Sequence, residues 1–164
     1  MKSLKFIATF LAAAISCHAA LAEATKWSIE ASFYENATWR KIWILKISSS
    51  GEASLSFTND PFKNSKRTEA NRKISEQEIS TIQGLKTRLK NGEIEDVYPE
   101  TTLMDGPVFF IEVKEDGKMT EMVSMHIGSS EPSSERSKFI EAWKALAEIF
   151  PSNAPIPEKY EYNN

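Results

Sequence analysis

From Trp27 to Phe57 most apolar residues keep one parity through three successive segments, and that parity restricts the fold more than any other feature of the chain. In "KWSIEASFY" (26–34) Trp27, Ile29, Ala31 and Phe33 point one way, while Ser28, Glu30, Ser32 and Tyr34 point the other. In "WRKIWILKIS" (39–48) Trp39, Trp43, Leu45 and Ile47 share a face, and Ile42 and Ile44 lie opposite. "EASLSFTN" (52–59) alternates Ala53, Leu55 and Phe57 with Ser54, Ser56 and Thr58. Period-two alternation is the signature of half-buried strands. Residues paired across antiparallel strands share a face, so a slip of one residue reverses every side chain. The loop joining the second and third segments therefore has an odd length. Ser49-Ser50-Gly51 fits, with Gly51 in the left-handed position of a bulged three-residue turn. The expected pairs are Ile47 with Ala53, Leu45 with Leu55 and Trp43 with Phe57.

The same argument governs "VFFIEVKEDGKMTEMVSMHI" (108–127). A two-residue Asp116-Gly117 turn places Val123, Met125 and Ile127 on the wrong face. A three-residue loop, Glu115-Asp116-Gly117, sets them beside Phe109, Ile111 and Val113, together with Met119. A helix is expected over 74–92, with Ser75 as N-cap, Glu78 completing a capping box, Ile74 and Ile79 as a staple, and Asn91-Gly92 as the stop. Its apolar stripe is Ile79, Ile82, Leu85 and Leu89. A second helix over 132–150 buries Phe139, Ile140, Trp143, Leu146, Ala147 and Phe150 and is closed by Pro151. Trp43 and Trp143 are assigned to the core; Trp27 and Trp39, near strand ends, are rim candidates.

The order is β-β-β-α-β-β-α. Each helix has one apolar stripe and each strand one strongly apolar face. The fold class is α+β: a two-layer sandwich of a five-stranded, mainly antiparallel sheet with both helices on one face. Residues 23–150 form a single domain, 60–73 is a polar loop, 93–107 is an irregular crossing, and 151–164 is a Pro-rich tail.

The chain resembles a family of uncharacterised secreted bacterial domains. The residues that carry the resemblance are Gly51, Ile74-Ser75 with Glu78, Asp105 with Pro107, and Gly117, over about 39–150. It implies this fold and a place in the cell envelope, and no activity.

Residues 1–22 read as a signal peptide: Lys2 and Lys5, an apolar run from Phe6 to Ile15, and Ala20-Leu21-Ala22 as the cleavage site. Cys17, preceded by Ala14-Ile15-Ser16, offers lipidation as the alternative. The expected location is periplasmic or secreted, with no membrane insertion after cleavage. Cleavage after Ala22 leaves no cysteine and one histidine, His126, so stability comes from a packed core rather than a disulfide. It also removes two lysines and no acid, taking the formal charge from −3 to −5. An acidic chain lacks the basic face that nucleic acid requires. The cluster Lys63, Lys66, Arg67, Arg72 and Lys73 reads as a solvated loop.

No pattern for a cofactor or metal is present: no metal-ligand spacing, phosphate loop or nucleophile elbow. "EIED" (93–96) reads as an acidic loop after a helix, and Asn36-Ala37-Thr38 as a turn. Glu112 and Glu121 fall on opposite faces and cannot form the close carboxylate pair of a glycosidase. The candidates for a small periplasmic hydrolase are His126, with Ser124 and Glu131 near it in the sequence, or acidic residues. What remains is surface. With both helices on one side, the other face presents Tyr34, Ile42, Ile44, Val108, Phe110, Met122 and His126. Apolar residues there suit a docking site. The expected activity is non-catalytic binding of another envelope or secreted protein, as an inhibitor, immunity-type protein or accessory subunit. The alternatives are the hydrolase, an apolar-ligand carrier, a homodimer through the same face, or cover by the tail with Ile156, Tyr160 and Tyr162.

Overall fold

A computed structural model describes residues 25–35, 40–58, 66–98, 106–127 and 133–160. The leader with Cys17 and Ala22, the sequon at 36–38, Trp39, Lys63, Asp105, Glu131 and Tyr162 lie outside the described residues.

The strands are β1 (Trp27–Glu35), β2 (Arg40–Ser48), β3 (Glu52–Phe57), β4 (Thr68–Lys73), β5 (Val108–Glu115) and β6 (Lys118–His126). The helices are α1 (Glu76–Lys90) and α2 (Ser134–Ala147). All strand pairs are antiparallel in one sheet of six strands, ordered β4-β3-β2-β1-β5-β6. The α+β class with helices on one face therefore holds, with six strands in place of five.

The additional strand is β4, inside the segment expected to be a loop. Its sequence, TEANRK, has one apolar residue, Ala70, opposite Leu55. An edge strand meets the sheet along one side only, and polar residues there guard against pairing with other chains. Two of the arginines expected to be solvated hold this edge in place. Arg67 donates to Ser56 Oγ at 2.7 Å, Ser56 O at 2.8 Å and the Lys41 carbonyl at 2.7 Å. Arg72 donates to the Ile149 carbonyl at 3.0 Å and pairs with Glu78, joining β4 to the start of α1 and the segment after α2.

The first hairpin follows the parity argument: Ile47 pairs with Ala53, Leu45 with Leu55 and Trp43 with Phe57, and Gly51 takes φ 79°. The second departs from it. Glu115 pairs with Lys118, so the turn is the two-residue Asp116-Gly117, with φ 49° and 78°. The register then shifts, Lys114 facing Met119 and Val113 facing Glu121. The extra residue, Thr120, forms a bulge that restores Val123, Met125 and Ile127 to the core face. Met119, expected inward, stands opposite Lys114 and is exposed. The crossing 93–98 runs beside the free side of β6, where Val97 bridges Met125 in parallel. Val97 N–H donates to the Ser124 carbonyl at 2.8 Å, and its own carbonyl accepts from His126 N–H at 2.9 Å.

The core lies between sheet and helices. Ile29, Phe33, Leu45, Phe109 and Ile111 from the sheet meet Ile82, Leu85 and Leu89 of α1 and Phe139, Trp143 and Leu146 of α2. Trp27 belongs to this buried set rather than to a rim, with the Lys86 ammonium over its ring.

Ser75 caps α1 as expected. Its hydroxyl accepts from Glu78 N–H, and Glu78 Oε2 accepts from Ser75 N–H at 2.7 Å. The Arg72 guanidinium, with the Ser75 N–H and hydroxyl, lowers the Glu78 carboxyl from 4.5 to about 2. A carboxyl depressed in the folded state contributes stability above its unfolded pKa and loses it as pH falls through its folded pKa. Denaturation midpoints are therefore expected to decline as pH falls from 4.5 toward about 2, and Glu78→Gln to flatten that limb.

Candidate functional site

Strand register arranges the face opposite the helices into rows. One row runs Asn71, Ser54, Lys46, Glu30, Glu112, Met122 across all six strands. The next runs Ser56, Ile44, Ser32, Phe110, Ser124, and Ser124 is bonded in turn to Asp96. The third places Lys41, Tyr34, Val108 and His126 side by side. The face thus has an apolar end and an ionic end.

The sequence-derived residues divide accordingly. Tyr34 and Phe110 are half-buried neighbours, their rings edge to face at 5.2 Å, and the half-buried Ile44 stands across Ser32 from Phe110 in the same row. Met122 stands at 50% exposure at the margin. Val108 is buried and offers no contact surface. Ile42 leaves the group: a register shift between Phe33 and Tyr34 pairs Tyr34 with Lys41, and Ile42 packs against the core. A bulge re-aims one side chain, and the alternation in the sequence carries no mark of it. Lys41 takes the vacated position.

Lys41 shapes the centre of the face. Its Nζ reaches Glu30 Oε1 at 2.6 Å and Glu112 Oε1 at 3.6 Å. Lys46 and Lys114 approach Glu30 Oε2 at 3.6 and 4.0 Å, and Lys114 approaches Glu112 Oε2 at 3.6 Å. Burial alone raises the Glu30 carboxyl. The hydrogen bond from Lys41 and the charges of Lys41, Lys46 and Lys114 outweigh it and hold the group below its ordinary value. Burial likewise disfavours the Lys41 charge, and Glu30 and Glu112 more than restore it. Both partners are therefore ionised at neutral pH. Apolar alternation in the sequence does not mark this ion cluster, whose acids and lysines come from three different strands. The alternation of Glu30, Glu112, Lys46 and Lys114 at facing positions was the available signal.

His126 stacks on Tyr98 at 5.3 Å. Burial lowers its pKa, and the Asp96 charge opposes that shift. Asp96 Oδ1 accepts from Ser124 N–H at 2.6 Å and from Ser124 Oγ at 2.8 Å. The carboxylate holds the serine directly, whereas a nucleophile needs its base on the hydroxyl and the carboxylate behind the base. This arrangement fastens the 93–98 crossing to β6. Glu112 and Glu121 fall on opposite sides, opposite Met122 and Val113 respectively. Among the described residues no group of three or more His, Cys, Asp or Glu is placed to hold a metal ion, and no helix is long and apolar enough to cross a membrane.

Beyond Glu30 the face sinks into a hollow of about 650 Å³, bordered by Lys46, Lys73, Lys114, Glu52, Asn71 and Ser54. The described part of the tail lies elsewhere. It forms short 3-10 turns at Pro151–Asn153 and Pro157–Tyr160 on α2, where Trp143 Nε1 donates to the Pro155 carbonyl at 2.8 Å and Lys144 pairs with Glu158. Neither protein-family models nor the curated proteins give a match to this chain.

Proposed function

We propose that the chain is a non-catalytic binding module of the bacterial cell envelope, delivered by residues 1–22, that docks another protein on the sheet face opposite its helices. The observation that carries this reading is the state of that face. Helices α1 and α2 pack on the far side, and the tail through Tyr160 is strapped to α2. Tyr34, Ile44 and Phe110 remain grouped, with Met122 at their margin. Apolar side chains clustered on a polar surface mark interaction sites, and aromatic residues and methionine are enriched in them. The resemblance to secreted bacterial domains agrees with the location. The Ser124–Asp96 bond, which engages the serine hydroxyl directly with a carboxylate, favours a structural role for that corner over a hydrolytic one.

A photoreactive side chain at position 110 is expected to form one discrete heteromeric adduct in the native envelope; the same group at the exposed Gln83 of α1 forms none. Ile44→Lys places a charge in the contact and lowers adduct yield at least ~10-fold, since a desolvated unpaired charge costs more than ~1.4 kcal/mol. An adduct of two copies of this chain, or an unchanged yield from a folded Ile44→Lys protein, overturns the reading.

A further inference from the structure

We infer that the hollow beside Glu30 is a subsite for carboxylates, and that the partner presents an acidic, extended segment to it. This inference rests on the docking reading for its choice of a protein, while the charge of the hollow stands on geometry alone. Charged groups in the hollow sit at different depths. Glu30 is at the floor, its side chain 10% exposed, with the 15% exposed Glu112 next to it in the same row, while Glu52 stands exposed at the rim facing Lys73. Lys46 and Lys114 rise to 61% and 37% exposure, and Lys73 is exposed on β4. The Glu30 and Glu112 carboxylates sit 3.6–4.0 Å from the Lys46 and Lys114 nitrogens, near enough to orient each ammonium while leaving its outward donors free. At the mouth of the hollow an approaching molecule therefore meets three ammonium groups against the single exposed carboxylate of Glu52. The chain as a whole carries a formal charge of −3, so this is a local reversal of sign. Electrostatic complementarity of this kind fixes orientation and raises association rates.

The spacing favours a segment over a single carboxylate. Lys73, Lys46 and Lys114 lie on β4, β2 and β5, so four strand intervals separate the outer two. At ~4.8 Å each these span about 19 Å, the length of roughly six extended residues. A partner of this kind also gains apolar contact with Met119 and Met122, which border Lys114 and Glu112 on the same face. A phosphate-rich glycan would leave those methionines unmatched.

The test is titration of the protein, produced from the full-length chain, with hexaglutamate, followed by amide chemical shifts. Shifts at Lys46, Ser54, Asn71 and Lys114 are expected, weakening steeply with salt. Lys73→Glu, which disturbs neither Glu30 nor Glu112, is expected to weaken binding about 3-fold, and Lys46→Glu with Lys114→Glu at least ~10-fold. Shifts elsewhere only, binding unchanged in a folded Lys73→Glu protein, or equal binding of inorganic phosphate overturns the inference. If hexaglutamate binds while Ile44→Lys leaves the cross-linked adduct intact, the docking reading fails and the carboxylate subsite stands.

Discussion

Trp143→Ala is expected to cost about 4 kcal/mol, the middle of the range for a buried aromatic residue. The indole of Trp143 sits between two other rings, 5.3 Å from Trp43 and 4.7 Å from Phe109, the latter edge to face. Aromatic pairs of this geometry add roughly 0.5–1.5 kcal/mol to what burial alone supplies. The sheet on one side and Phe139 and Leu146 on the other are fixed by their own packing, so little collapse into the vacated space is available. The same residue holds the tail, through the bond from Nε1 to the Pro155 carbonyl. Two measurements separate the roles. Trp143→Phe keeps most of the packing but orphans that carbonyl, and is expected to lose about 1–2 kcal/mol while exposing the tail beyond Pro151 to proteolysis. Trp143→Ala loses both. Since a domain of this size is stable by only ~5–15 kcal/mol, the alanine variant should show clearly lowered denaturant midpoints. A loss below ~1 kcal/mol would place Trp143 outside the core.

Gly106→Ala and Gly84→Ala should shift stability in opposite directions. A Cβ at Gly106 would lie 2.2 Å from the Ile127 carbonyl oxygen, which belongs to backbone rather than to a side chain that can swing away. That backbone is fixed, because Ile127 N–H donates to the Pro107 carbonyl at 3.0 Å. One methyl group therefore separates the lead-in of β5 from the end of β6, at a cost of about 2–3 kcal/mol. Gly84, in α1, has nothing within 4 Å of its added Cβ. There alanine relieves the poor helix propensity of glycine and stabilises by about 0.5–1 kcal/mol. Equal effects of the two substitutions in denaturant titrations would refute the close approach at Gly106.

Much of the fold was legible because hydrophobic parity is strict where one face is buried. The odd positions of β1 to β3, the bulged turn at Gly51 and the cap at Ser75 follow from residues a few positions apart, and each stands as expected. Strand β4 was not legible, since an edge strand is held by its neighbour's backbone and by Arg67 and Arg72 rather than by apolar alternation. The second turn differs from its expectation for another reason. A three-residue loop, and a two-residue turn with a bulge at Thr120, leave the same parity beyond them; they differ in the facing of Met119 and by two residues in register, Ile111 standing opposite Val123 rather than Glu121.

The candidate site shows the same division. Tyr34, Ile44, Phe110 and Met122 share the face that alternation gave them, while Ile42 left it through a bulge and Val108 became buried. Local sequence determined which side of β1, β2, β3, β5 and β6 faces the core, because that depends on a period of two and on turn chemistry. Tertiary structure alone decided which strands are neighbours. Glu30 and Lys41 are eleven residues apart, and Glu30 and Lys114 lie on different hairpins, so their charges meet only after β1 is placed between β2 and β5. The ion cluster and the hollow beside it are products of that placement: electrostatic energy depends on distance through space, which local sequence patterns do not record.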